Sequence, residues 1–166
     1  MQVLCGMVIP MESIREQLQI FSRHFGLLNA SCCDECCGEQ VSMVQSHILF
    51  EIRRLGSPAM QQVAEELGMD ITTFSRQVKS LEQKGLVTRQ VSTEDRRVNL
   101  LGLTVDGSAV LAKIDLYMTG RLDRIFSRMS AFEQESVTRS LELLNTAVAR
   151  AAEDGSDQEG IIACCK

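Results

Sequence analysis

The stretch VAEELGMDITTFSRQVKSLEQKGLVTRQVSTEDRRVNLLGLTVDG, residues 63–107, decides the fold of this chain. Its first part has a helical period. Met60, Val63, Ala64 and Leu67 share one face of a short helix that Gly68 stops. Asp70 then offers a side-chain oxygen to the free amides of a second helix. That helix carries Ile71, Phe74, Val78 and Leu81 on one face and ends at Gly85. Residues 59–84 therefore read as helix, tight turn, helix, which is a helix-turn-helix. After Gly85 the period changes. LVTRQV (86–91) and VNLLGL (98–103) are rich in apolar and β-branched residues and flank the polar STEDRR, which predicts a hairpin with a polar, mobile tip.

The second helix has a polar face made of Thr72, Thr73, Arg76, Lys79, Ser80 and Gln83. Short hydroxyls at a helix start, with Arg and Lys one turn later, suit a major groove. Thr and Ser reach bases or phosphates, and Arg forks onto guanine. A solvated helix face carries the same residue types, and the hairpin that follows tips the balance towards nucleic acid. Residues 71–100 hold six Arg or Lys against three acidic residues, so this patch is positive although the whole chain has a formal net charge of −5. At the hairpin tip, Arg96 or Arg97 can enter a narrow minor groove, with Asp95 holding a guanidinium by paired hydrogen bonds.

Outward from this lobe the chain is helical. Ile14, Leu18, Phe21, Phe25 and Leu28 form an amphipathic stripe over 11–29, and Val41, Val44, Ile48, Ile52 and Leu55 a second over about 40–55, broken by GSP at 56–58. Thr104 caps a helix over 105–129. Ser130 and Glu133 form a capping box for a last helix that buries Val137, Leu141, Leu144 and Val148. His24 and His47 sit within helices, where packing or capping accounts for them. EDGSDQEG, 153–160, reads as a loose tail, yet it leads into IIACCK.

Totals agree with a helical protein: 166 residues, 45% hydrophobic, no tryptophan, one tyrosine and two prolines. No apolar run reaches the roughly 20 residues that span a bilayer. The opening MQVLCGMVIP lacks a basic start, so a cytoplasmic protein without a membrane partner is expected. The fold class is mainly α with a small β-hairpin wing.

SRQVKSLEQKGLVTR, DRR and, five residues on, LTVDG stand in the order and spacing of the MarR family of winged helix-turn-helix regulators, which 63–107 resembles. The resemblance implies a winged helix-turn-helix lobe plus a helical dimerisation lobe. It implies an N-terminal arm over 1–10 and one domain over 11–152. Within that domain 11–55 and 105–152 are dimerisation helices and 56–104 the DNA-binding lobe, before a tail over 153–166. It further implies a homodimer that presents the 71–84 helices to the halves of a palindromic operator in double-stranded DNA. By position Thr72, Thr73, Ser75, Arg76 and Lys79 are DNA-binding, Arg96 and Arg97 make the minor-groove contact, and Asp95 supports the wing.

SCCDECCGEQ, residues 31–40, holds four of the seven cysteines. Under reducing conditions clustered thiols more often bind metal or sense redox state than form permanent disulfides. On a helix Cys32 and Cys36 lie one turn apart, as do Cys33 and Cys37, and Cys33 to Cys36 is a C-x-x-C step. Thiolates are soft, so zinc, copper(I), an iron–sulfur cluster, arsenite or antimonite are the plausible guests. Neighbouring cysteines make a poor disulfide, because consecutive Cα atoms lie about 3.8 Å apart, below the usual minimum of about 4.4 Å. Cys164 and Cys165 are either exposed thiols or a mobile lid of further ligands. Cys5 is isolated.

The expected function is a repressor that releases its operator when these thiols bind a soft metal or metalloid or are oxidised. The alternative is a regulator answering to a small organic ligand, with a structural metal on the cysteines. A thiol oxidoreductase is the reading from another class. No thioredoxin-like βαβ pattern, phosphate loop or HExxH motif supports it, so an enzyme is not expected.

Overall fold

The computed structural model describes residues 11–26 and 41–153. They form α1 (Met11–His24), α2 (Met43–Leu55), α3 (Met60–Glu66), α4 (Ile71–Gln83), β1 (Val87–Val91), β2 (Asn99–Leu103), α5 (Val105–Phe126) and α6 (Ala131–Glu153). This is the mainly helical chain with one hairpin that the sequence predicts. The seven cysteines lie outside the described residues. Among the described residues no helix is long and apolar enough to cross a membrane. The chain divides into two compact units, one ending at Met118 and the other beginning at Thr119.

In the first unit a single core joins α2 (Ile48, Leu49, Ile52), α3 (Val63, Ala64), α4 (Phe74, Val78, Leu81), the hairpin (Val87, Leu101) and the start of α5 (Val110, Leu111). Each large apolar side chain withdrawn from water here contributes about 1.5–3 kcal/mol. The α2 stripe differs from the one expected. Val44 is exposed, and the inward face is Gln45, Ile48, Leu49 and Ile52. Those positions step by three, one and three, so a polar residue occupies one place on the helical core face. The helix also begins later than residue 40, because Ser42 caps it. The Ser42 hydroxyl accepts the Gln45 amide at 3.2 Å, and Gln45 Oε1 accepts the Ser42 amide at 3.3 Å.

Gly56 and Ser57 end α2 with φ of +64° and +57°. Glycine takes this conformation freely and serine does so at a cost. The chain then lies along the sheet. Pro58 O accepts the Leu101 amide at 2.8 Å, and Ala59 bridges Leu100. On the other side β2 pairs antiparallel with β1, with Val87 opposite Leu103 and Val91 opposite Asn99. Thr104 starts α5 as predicted. Its hydroxyl accepts the Gly107 amide at 2.9 Å and donates to Gly85 O at 2.7 Å.

α1 is shorter than the 11–29 helix expected. It stops at His24, and Gly26 takes φ of +75° in the following turn; residues 27–29 lie outside the described residues. Ile14, Leu18 and Phe21 of its stripe are exposed, and the Phe21 and Phe25 rings stack at 5.1 Å.

In the second unit α5 ends at Phe126, three residues before the predicted end. A turn over 127–130 is closed by Gln134, whose Nε2 donates to Phe126 O at 3.0 Å and Met129 O at 3.2 Å. The capping box at Ser130 and Glu133 forms as expected: Glu133 accepts the Ser130 amide at 2.7 Å, and the Ser130 hydroxyl accepts the Glu133 amide at 3.4 Å. The expected burial of the α6 stripe does not occur within the chain. Leu141, Leu144 and Val148 remain 50%, 47% and 57% exposed, and no described apolar side chain from Thr119 onward belongs to the buried core. The unit offers this stripe too little facing surface to cover it.

Candidate nucleic-acid interface

The interface is built on α4. Asp70 caps it, its Oδ1 accepting the Thr73 amide at 2.9 Å. The Thr73 hydroxyl, then the Thr73 and Thr72 amides and the charge of Arg76, hold the Asp70 carboxyl below its usual range, while desolvation opposes them. Phe74, Val78 and Leu81 are fully buried. They fix which way the rest of the helix points, and Thr72, Thr73, Arg76 and Lys79 are all exposed, while Ser75 is half-buried. Ile71, expected on the core face, is exposed at the helix start. Ser80, expected on the solvent face, is half-buried, and its hydroxyl accepts a hydrogen bond from Gln45 Nε2 at 3.2 Å.

The wing follows without a break. β1 is tied back to α4 by Arg89, whose guanidinium meets Glu82 at 2.9 Å. The seven residues between the strands organise themselves. The Ser92 amide donates to Val98 O, the Val98 amide to Asp95 O, and the Ser92 hydroxyl accepts the Glu94 amide at 3.2 Å. Asp95 does support the tip, but not by the guanidinium pairing expected. Its Oδ1 accepts the backbone amide of Arg97 at 2.9 Å. An aspartate two residues ahead of an amide satisfies it locally, forming an Asx-type turn. Arg96 and Arg97 are exposed, and neither takes part in the ion pairs formed by Arg53, Arg54 and Arg89. The ion pairs consume Arg53, Arg54 and Arg89 instead, against Asp115, Glu51 with Glu66, and Glu82. Arg76, Lys79, Arg96 and Arg97 therefore supply exposed positive charge from two adjacent elements. Cations in such an arrangement neutralise phosphates and release their counterions.

Three contributors escaped sequence reasoning. Gln45, between Val44 and Ser46, had no assigned role. Lys84 was counted only as charge, yet its Nζ donates to Gln45 Oε1 at 3.0 Å. Gly107 lies in the LTVDG motif without an assigned role. A β-carbon there would sit 2.0 Å from Leu86 O. His24 and His47 are both exposed. Among the described residues no cluster of His, Cys, Asp and Glu could hold a metal ion. The proposed thiol ligands Cys32, Cys33, Cys36, Cys37, Cys164 and Cys165 lie outside them.

A capped helix with exposed hydroxyls and cations, preceded by a short helix and followed by an arginine-tipped hairpin, defines a winged helix-turn-helix DNA-binding transcriptional regulator. Residues 41–98, which hold α2, the helix-turn-helix and most of the wing, match the model of the MarR family. YxaD of Bacillus subtilis (strain 168), described as an uncharacterised HTH-type transcriptional regulator, is 28% identical over 138 residues, 83% of this chain and 94% of its own. MdtR of the same organism, described as an HTH-type transcriptional repressor, is 29% identical over 118 residues, 71% of this chain and 74% of its own. The crystal structure of Streptococcus pneumoniae FabT in complex with DNA shares the fold. Its TM-score is 0.75 at 22% identity, over 85% of this chain and 99% of that one.

Proposed function

We propose that this chain is a homodimeric repressor that binds a palindromic operator and releases it when the clustered thiols capture a soft metal or metalloid or are oxidised. The observation that carries the DNA reading is the exposed set Thr72, Thr73, Arg76 and Lys79 on α4 with Arg96 and Arg97 on the wing that follows, its four cations taking no part in the ion pairs of Arg53, Arg54 and Arg89. Thr72, Thr73, Ser75 and Arg76 meet bases or phosphates, Lys79 a phosphate, and Arg96 or Arg97 the minor groove. The uncovered stripes on α1 and α6 support a second copy of the chain as their cover. That MdtR is a transcriptional repressor and that FabT is seen in complex with DNA agree with this reading.

The thiol input rests on sequence placement. Cys32, Cys33, Cys36 and Cys37 occupy the connection between α1, on the dimer side, and α2, which enters the DNA-binding lobe. Zinc, copper(I), arsenite or antimonite on these thiolates would draw the ends of that connection together. Moving occupancy from 99:1 to 1:99 needs about 5.5 kcal/mol of differential binding, within reach of soft-metal thiolate bonds.

The test begins with a duplex selected from a random-sequence pool by the full chain. Mobility shifts on that duplex are then measured with arsenite, zinc, copper and peroxide. The expected result is release by at least one of them, lost in a variant with serine at all four cluster positions. Binding that none of these agents alters, with the serine variant behaving as wild type, removes the thiol input and leaves the small-organic-ligand alternative.

A further inference from the structure

Gln45 is the one buried polar side chain among the described residues, with only 6% of its surface exposed. A primary amide carries two N–H donors and two acceptor lone pairs. All four are used here, and they join two elements. Oε1 accepts the Ser42 amide at the start of α2 (3.3 Å) and Lys84 Nζ at the end of α4 (3.0 Å). Nε2 donates to Gln77 Oε1 and to Ser80 Oγ, each at 3.2 Å. Burying an amide is unfavourable unless it is bonded in this way, so an apolar residue would fill the position at less risk.

The three α4 partners, Gln77, Ser80 and Lys84, make one stripe along the helix, spaced by three and four residues. Each directly follows a residue of the outward face: Arg76, Lys79 and Gln83. The apolar inward contacts of α4 are Phe74, Val78 and Leu81, and apolar packing is non-directional. Hydrogen bonds require both distance and angle. The clamp on Gln45 is thus the directional tie between α4 and α2, as the Glu82 to Arg89 pair is between α4 and β1, and a roll of the helix that moves Arg76 strains it.

We infer that Gln45 is a positioning residue for DNA recognition: it sets the roll of α4 and so aims Thr73 and Arg76. This rests on the reading of α4 as the DNA-reading helix given above. It also gives that reading a route for control. Ser42, the residue Gln45 caps, lies five positions after Cys37. The thiol input proposed above and the clamp thus lie close together along the chain.

The experiment compares affinity for the selected duplex with affinity for an unrelated duplex of equal length, using the full chain. Gln45→Leu removes the clamp from the α2 side. The double variant Gln77→Ala/Ser80→Ala weakens it from the α4 side and keeps the Ser42 cap, so it serves even where Gln45→Leu fails to fold. Arg76→Ala reports whether α4 reads sequence at all. The expected result is a selectivity ratio lowered about tenfold in the clamp variants, with affinity for the unrelated duplex held within about twofold. An unchanged ratio in a folded clamp variant, beside a lowered ratio in Arg76→Ala, overturns the role of Gln45 alone. A ratio unchanged in Arg76→Ala as well overturns the reading of α4 and Gln45 with it. Equal losses on both duplexes mean that Gln45 only supports the folded state, which also overturns the proposal.

Discussion

Gly107 lies so close to Leu86 that a β-carbon on it would stand 2.0 Å from the Leu86 carbonyl oxygen. The same oxygen accepts the Thr104 amide at 3.1 Å, so the start of α5 is pressed onto the chain entering the hairpin. The atom in the way is backbone and cannot rotate aside. Gly107→Ala is expected to destabilise the fold by about 1–3 kcal/mol, read as a lowered urea midpoint. An unchanged midpoint would show that α5 can shift without cost.

Two carboxyls link stability to acid. Asp70 is held below its usual range chiefly by the Thr73 hydroxyl, and Glu133 by the Ser130 amide and then its hydroxyl. A carboxyl lowered in the folded state stabilises the fold at pH above its ordinary value and loses that contribution as pH falls through the lowered one. The wild-type urea midpoint should therefore fall more steeply below about pH 4 than that of Asp70→Asn/Glu133→Gln. Parallel curves for the two proteins would contradict the shifts.

The wing arginines should behave differently from Arg76. Arg96→Ala and Arg97→Ala are expected to weaken binding to the selected duplex and to reduce its salt dependence by about one ion for each cation withdrawn from the DNA. A variant that leaves the salt slope unchanged places its arginine away from the backbone.

Leu144, 47% exposed on α6, tests the second copy. Leu144→Glu puts a charge into the apolar stripe that a partner would cover, and a buried unpaired charge strongly disfavours association. Sedimentation equilibrium is expected to find a dimer for wild type and a monomer for the variant. A monomeric wild type rules the dimer out.

The helix-turn-helix and its wing were legible because their signals are local. Asp70 precedes an apolar period, Gly85 ends it, and two apolar runs flank a polar turn. The Ser130 and Glu133 box was legible for the same reason. Long-range relations were not. Gln45 reads as polar, and only the spatial neighbours Gln77, Ser80 and Lys84, at least 32 positions away, make it part of the core. Gly107 owes its identity to a carbonyl 21 residues earlier. The α6 stripe was correctly periodic, yet periodicity says that a face is apolar and not which surface covers it. Asp95 was placed rightly and its partner wrongly, because a short side chain satisfies the nearest amide before reaching a flexible guanidinium.

Pro58 gives the wing one further property. Its carbonyl takes the Leu101 amide on the side of β2 away from β1, and proline has no N–H with which to continue a ladder. A strand edge with free amides would invite addition by a neighbouring molecule and eventually aggregation. Here the exposed margin of β2 is already capped by the chain's own turn. At Leu101 that edge of β2 is therefore closed to pairing with a strand of a neighbouring molecule.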